Sequence, residues 1–209
     1  MRKKALIASL CMVASLAEAD DKGIFVGVDF SSTSSPLKYV NSGNMPLYSY
    51  DNSYTDTRYS LKVGYQAYFT RIYARYSTFE YKDEKRDKFS ITDGALYELN
   101  AEYIPLFYAN ESKEWAVRGL FGLGCGYNSS KLTEYDSYLL PAGESASGAQ
   151  NYMEYGYQLG LILESSYGVS VEVGYRARYG NLQEFSDGAN DAVFSVDTTE
   201  FYLGVNYLF

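Results

Sequence analysis

The residues able to do chemistry in this chain are acids and arginines, and their spacing is that of strands. Glu98 and Glu102, Arg71 and Arg75, and Arg176 and Arg178 recur at even intervals. Even intervals put side chains on one side of an extended segment, because the strand period is two. Asp29, Arg58, Lys62, Arg118, Glu154, Glu164, Glu172 and Glu200 share the polar parity of their own segments, so seven cations stand against seven acids. Two carboxylates can act as general acid and base. On one strand, however, Glu98 and Glu102 would stand about 13 Å apart, and partnership in ion pairs is the better reading. Lys outnumbers Arg in the whole chain, yet six of these seven cations are Arg. The Arg fork suits paired carboxylates in a confined space, whereas Lys suits open water. The expected chemistry is a neutralised Arg–Glu network.

Other motifs carry less. With no His anywhere, the usual general base and metal ligand is missing, and we expect no catalytic residue, metal or cofactor. Residues 119–126, Gly-Leu-Phe-Gly-Leu-Gly-Cys-Gly, look like a phosphate-cradling loop but lack the Lys-Ser/Thr and the helix that such a loop needs. Asp187 to Asp191 offers oxygen ligands in an incomplete calcium pattern. Tyr39, Tyr48, Tyr50 and Tyr54 in the polar stretch 31–57, and Tyr135 and Tyr138 in the stretch 128–151, lie among Ser, Asn and Gly. That mixture suits adaptable binding loops, and these tyrosines are the candidates for contact with a host or surface ligand.

The start of the chain reads as an export signal. Arg2, Lys3 and Lys4 precede an apolar run at 5–16 and a small-x-small site at Ala17-Glu18-Ala19. We expect a signal peptide at 1–19 and one mature domain at 20–209. Cys125 is then the one remaining thiol, so an exported protein of this kind relies on something other than an internal disulfide. The formal charge of −8 becomes more negative once that basic segment is removed. This argues against nucleic acid as a partner.

Eight strands are expected, at 23–30, 58–68, 71–81, 89–104, 115–127, 152–164, 169–180 and from 193 to the end. Pro105 is expected to end the fourth, since Pro cannot donate to a ladder. Long polar loops fill 31–57, 128–151 and 181–192, while the joins after the second and sixth strands are tight. Most strands reach the roughly 9–11 residues that cross a bilayer at a tilt. Alternation alone also fits a soluble ligand-binding barrel with its apolar face inward. The Arg-rich polar faces and their glycines (Gly27, Gly64, Gly122, Gly124, Gly156, Gly174 and others) suit a crowded interior instead, with apolar side chains turned out to lipid.

The last strand decides the reading. Phe201, Leu203, Val205, Tyr207 and Phe209 alternate with Tyr202, Gly204, Asn206 and Leu208. This strand resembles the C-terminal assembly signal of bacterial outer-membrane barrels. Together with the export signal and the strand count, the mature chain resembles the small OmpA/OmpX-type and opacity-type barrels over nearly its full length. The resemblance implies an all-β fold: an eight-stranded antiparallel transmembrane barrel with up-and-down meander topology. It implies a monomer without enzymatic activity, in outer-membrane lipid and lipopolysaccharide. Biogenesis would use periplasmic chaperones and the barrel-assembly machinery, and the role would be structural or adhesin-like through surface loops. A narrow or gated pore for small solutes is the alternative.

Overall fold

The computed structural model describes residues 22–41, 51–82, 89–112, 114–135, 145–186 and 191–209. The stretch 1–19, expected as a signal peptide, lies outside them. The described chain is built of strands: β1 (Gly23–Asn41), β2 (Asp51–Ala67), β3 (Thr70–Lys82), β4 (Phe89–Tyr103), β5 (Leu106–Ala109), β6 (Trp115–Tyr135), β7 (Ser145–Ser165), β8 (Val169–Ser186) and β9 (Asp191–Leu208). Each long strand pairs antiparallel with its neighbours in sequence. β4 also pairs with β6, and β9 returns to β1, with Val28 opposite Val205. The sheet therefore closes into an eight-stranded meander barrel that leaves no edge at this level.

Of two expectations about boundaries, one holds and one needs correction: β4 ends at Tyr103, just ahead of Pro105, as expected. Pro105 nonetheless does not end pairing along β6. Its carbonyl still accepts the Gly119 N–H at 2.9 Å, and β5 carries on along β6, with Ala109 opposite Ala116. Proline removes a donor and leaves the acceptor. The polar stretches read as loops are also largely strand. β1 pairs with β2 as far as Lys38 opposite Asp51, β6 with β7 as far as Tyr135 opposite Ser145, and β8 with β9 as far as Ser186 opposite Asp191. A backbone ladder does not need apolar side chains. Hydropathy marks only the segment where one face is oily, and Thr and Tyr pair well beyond it.

Tight connections gather at one end of the barrel. Tyr68 and Phe69 turn β2 into β3, and residues 166–168 turn β7 into β8. Gly168 has φ +81 there and donates to the Ser165 carbonyl at 3.0 Å, a conformation that glycine adopts without a Cβ penalty.

The alternation has a clear sense. Val26, Val28, Leu61, Val63, Leu99, Leu123, Leu159, Leu161, Val173 and Leu203 are exposed on the outer wall, while the acids and arginines are buried inside. Aromatic pairs ring the wall at two levels. Phe30–Tyr59, Tyr76–Tyr97 and Tyr155–Tyr179 lie toward the loop end, and Tyr68–Phe69, Tyr108–Trp115 and Tyr207–Phe209 lie at the turn end. At the turn end the lumen is floored by the buried cluster Ile104, Leu120 and Ile162.

Above the upper aromatic level the wall divides. β2 and β3 pair no further than Tyr59 opposite Thr78, and β7 and β8 no further than Glu154 opposite Gly180. The remaining ladders continue. Beyond the two forks stand two four-stranded blades, β8-β9-β1-β2 and β3-β4-β6-β7, among the described residues.

Candidate functional site: the charged lumen

The closed sheet turns a one-dimensional parity into a three-dimensional cluster. Asp29 enters from β1, Arg58 and Lys62 from β2, Arg71 and Arg75 from β3, Glu98 and Glu102 from β4, Glu172, Arg176 and Arg178 from β8, and Glu200 from β9, and all are buried. Arg71 binds Glu102 through Nε at 2.6 Å and reaches Glu172 through Nη2 at 2.8 Å. Lys62 bridges Glu172 and Asp29, the latter at 2.7 Å. Arg176 donates to Asp29 at 2.7 Å. Arg75 joins Glu98 at 2.5 Å to Glu200 at 3.1 Å, and Arg178 holds the other oxygen of Glu98. Arg58 contacts Glu200 at 3.5 Å and lies over the Phe79 ring at 4.4 Å. Asp29, touched by Lys62, Arg75 and Arg176, links the groups near the turn end to those above them.

Three expected members stand apart. Arg118 and Glu164 pair with each other at 2.5 Å, half-buried beneath the main cluster. There Gln66 donates to Glu164 at 2.8 Å, and Arg118 donates to the Tyr68 carbonyl at 3.1 Å. Glu154 is buried and accepts from the Asn128 amide at 3.1 Å, and among the described residues it makes no ion pair. It lies at the β7/β8 fork, opposite Gly180.

Several members carry no charge and escaped a reading centred on ions. Tyr73 donates to Glu102 at 2.8 Å. Gln158 donates to the same carboxylate at 2.7 Å and accepts from Arg176 at 2.8 Å. Asn206 donates to Glu172 at 3.1 Å, and the Tyr202 ring lies 3.6 Å from the Arg176 guanidinium carbon. All share the parity of the charges, and that was the signal that could have found them. The inward glycines make room for both the charged and the uncharged members. A Cβ at Gly204 would lie 2.5 Å from Asp29 Oδ1 and 2.8 Å from Glu172 Cγ. One at Gly122 would lie 2.6 Å from Gln158 Nε2.

Outside, Phe201, Leu203, Val205, Tyr207 and Phe209 of the last strand are exposed, with Gly204 turned inward. Cys125 is exposed on the same wall. Tyr39, Tyr54 and Tyr135 fall in β1, β2 and β6, so the segments read as their loops are paired backbone. Tyr48, Tyr50 and Tyr138 lie outside the described residues, as do residues 187–190 of the acidic motif.

No protein-family model matches the chain, and no curated protein sequence is significantly similar to it. Solved structures are. Neisserial surface protein A shares 18% identity over 91% of this chain and 100% of its own, with a TM-score of 0.51. The outer membrane protein AlkL, solved in lipid bilayers, shares 14% identity over 92% and 93%, with a TM-score of 0.53. The fold is that of the small outer-membrane barrels.

A barrel of eight strands is just wide enough for side chains to fill, and here the lumen is filled. Each buried ion loses several kcal/mol of hydration, and only mutual pairing with good geometry offsets that loss. The network meets this demand by giving most carboxylates two or more donors. The same saturation engages both oxygens of Glu98 and of Glu102 within the network. No group of three or more His, Cys, Asp or Glu able to hold a metal occurs among the described residues.

Proposed function

We propose that this chain is a non-enzymatic integral barrel of the bacterial outer membrane, with a closed lumen, and that it acts through the two blades beyond the bilayer. The observation that carries this is an inversion of the usual soluble arrangement. A continuous apolar belt between two aromatic levels covers the outer wall, and Arg71, Arg75, Arg176, Glu172 and Glu200 are sealed within it. Only hydrocarbon accommodates that belt without an unfavourable water interface. The turn end faces the periplasm and the blades face outwards, as short turns and long loops are disposed in barrels of this kind. Export would use the segment 1–19. Insertion would use β9, whose outward aromatic and aliphatic residues offer the assembly machinery its recognition pattern.

The role at the surface is adhesin-like or structural rather than transport. A path through the lumen would have to displace the Ile104–Leu120–Ile162 floor and part at least one of the Arg–carboxylate contacts above it. Recording in planar bilayers tests this. The closed barrel is expected to give no stable conductance, and reproducible open steps would establish the narrow pore instead.

A further inference from the structure

The other inward acids, Asp29, Glu98, Glu102, Glu164, Glu172 and Glu200, are all ion-paired. Glu154 makes no ion pair among the described residues, and it stands where the wall divides. It is the last β7 residue to pair with β8, opposite Gly180. The Tyr152 ring lies across the split just above. A Cβ at Gly180 would stand 2.8 Å from that ring and 3.4 Å from Glu154 Cβ. The carboxyl is therefore buried although the two strands part beside it. Its bond is to β6, where it accepts from Asn128 Nδ2 at 3.1 Å. Charges act on it from three more strands. Glu98 of β4 repels its ionised form, while Arg58 of β2 and Arg178 of β8 attract it. The Tyr152 phenol is the other titratable group against it. Arg58 is already shared between Glu200 and Asp56. Arg178 has an arm to spare. Its Nε and Nη2 hold Glu98, Nη2 lies 3.4 Å from Asn100 Oδ1, and its buried Nη1 has no partner.

Resting on the outward orientation of the blades proposed above, we infer that Glu154 is a proton-operated latch at the β7/β8 fork. As a neutral acid it is held by Asn128 and ties β7 to β6 alone. Once its proton passes to the water outside, the buried carboxylate has lost hydration and is stabilised by a charged donor. The free Nη1 of Arg178 is that donor, two residues from Gly180 on β8. The carboxylate then fastens β7 to β8 at the point where their ladder ends. Loss of the proton tightens the fork, and acid outside the cell loosens it and lets the two blades part further. A metal ion is a poorer occupant than a proton. Glu98, the neighbouring carboxylate, is already held by Arg75 and Arg178, and Arg58 and Arg178 repel a cation at this place.

The test uses the full barrel in nanodiscs and amide hydrogen exchange at residues 152–156 and 178–180, divided by the intrinsic rate at each pH. Between about pH 5 and about pH 8, a range within which buried carboxylates titrate, exchange is expected to slow at least about tenfold, the worth of one charge-assisted hydrogen bond. Glu154→Gln mimics the neutral acid. It is expected to exchange at one rate throughout, close to that of the unaltered barrel at the acid end. Arg178→Lys keeps a cation beside Glu98 but lacks the spare arm, and is expected to lose the response as well. A heat-shifted gel band shows that each variant is folded. An unaltered barrel whose exchange is flat or quickens with pH, or equal slowing in Glu154→Gln, would overturn the latch. Slowing that follows added calcium at fixed pH would put a metal ion on the carboxylate and overturn it too. A chain that stays soluble without detergent would overturn the membrane reading itself, which sedimentation of the same sample shows separately.

Discussion

Arg176 shows how one side chain becomes indispensable in a space closed to water. It donates to Asp29 and Gln158, reaches Glu200 at 3.5 Å, and lies against the Tyr202 ring. Arg176→Met would leave Asp29 and Glu200 short of a cation with no solvent to replace it. We expect a loss of about 3–5 kcal/mol, measured as a lower urea midpoint in a folding titration with lipid. A much smaller loss would mean that water enters the lumen. The outer wall obeys the opposite rule. Leu161 is exposed opposite Val173, between the two aromatic levels, so Leu161→Arg is expected to cost about 2–4 kcal/mol near the bilayer midplane. The same titration would show no loss if this wall faced water. At this scale the sequence was informative: parity alone sorted Leu161 from Arg176. It did not say that Glu154 makes no ion pair among the described residues or that Tyr73, Gln158 and Tyr202 complete the network. Such partners come from strands far away in sequence, and their meeting depends on register.

Among elements, β9 carries the most weight, because it pairs with both β8 and β1 and so makes the ring. Phe209 donates its N–H to the Ile24 carbonyl at 2.9 Å while its ring packs edge-on against Tyr207 at 4.8 Å. Phe209→Ala keeps the backbone bond and removes the ring. We expect export to continue and the amount of heat-modifiable barrel in the outer membrane to fall. Unchanged levels on a gel of boiled and unboiled membranes would count against β9 as an assembly signal. Element ends were the least legible feature. Past Phe30 in β1 and Tyr127 in β6 the apolar alternation stops, yet both strands run on, to Asn41 and Tyr135. What continues there is main-chain pairing between segments without a hydrophobic face, and it leaves no periodic mark. β5 escaped notice for a related reason: Pro105 stops β4, but it removes only a donor, and pairing to β6 resumes beyond it.

For the whole molecule, neutrality inside and oil outside are two sides of one alternation, and together they explain a lumen that is filled rather than open. Truncating both blades to short turns, above the pairs Tyr59–Thr78 and Glu154–Gly180, should therefore leave folding intact. The expected result is a retained heat-shifted band with loss of any surface binding. Loss of the shift would show that the blades hold the barrel together.

By itself the sequence determined the class of fold, the number of membrane-length strands and which face each side chain takes, because a period of two along a strand is written residue by residue. Only the tertiary structure decided which acid meets which arginine, where the lumen is floored, and that the wall splits into two blades. Those are outcomes of register and closure, and each depends on where strands distant in the chain come to lie beside one another.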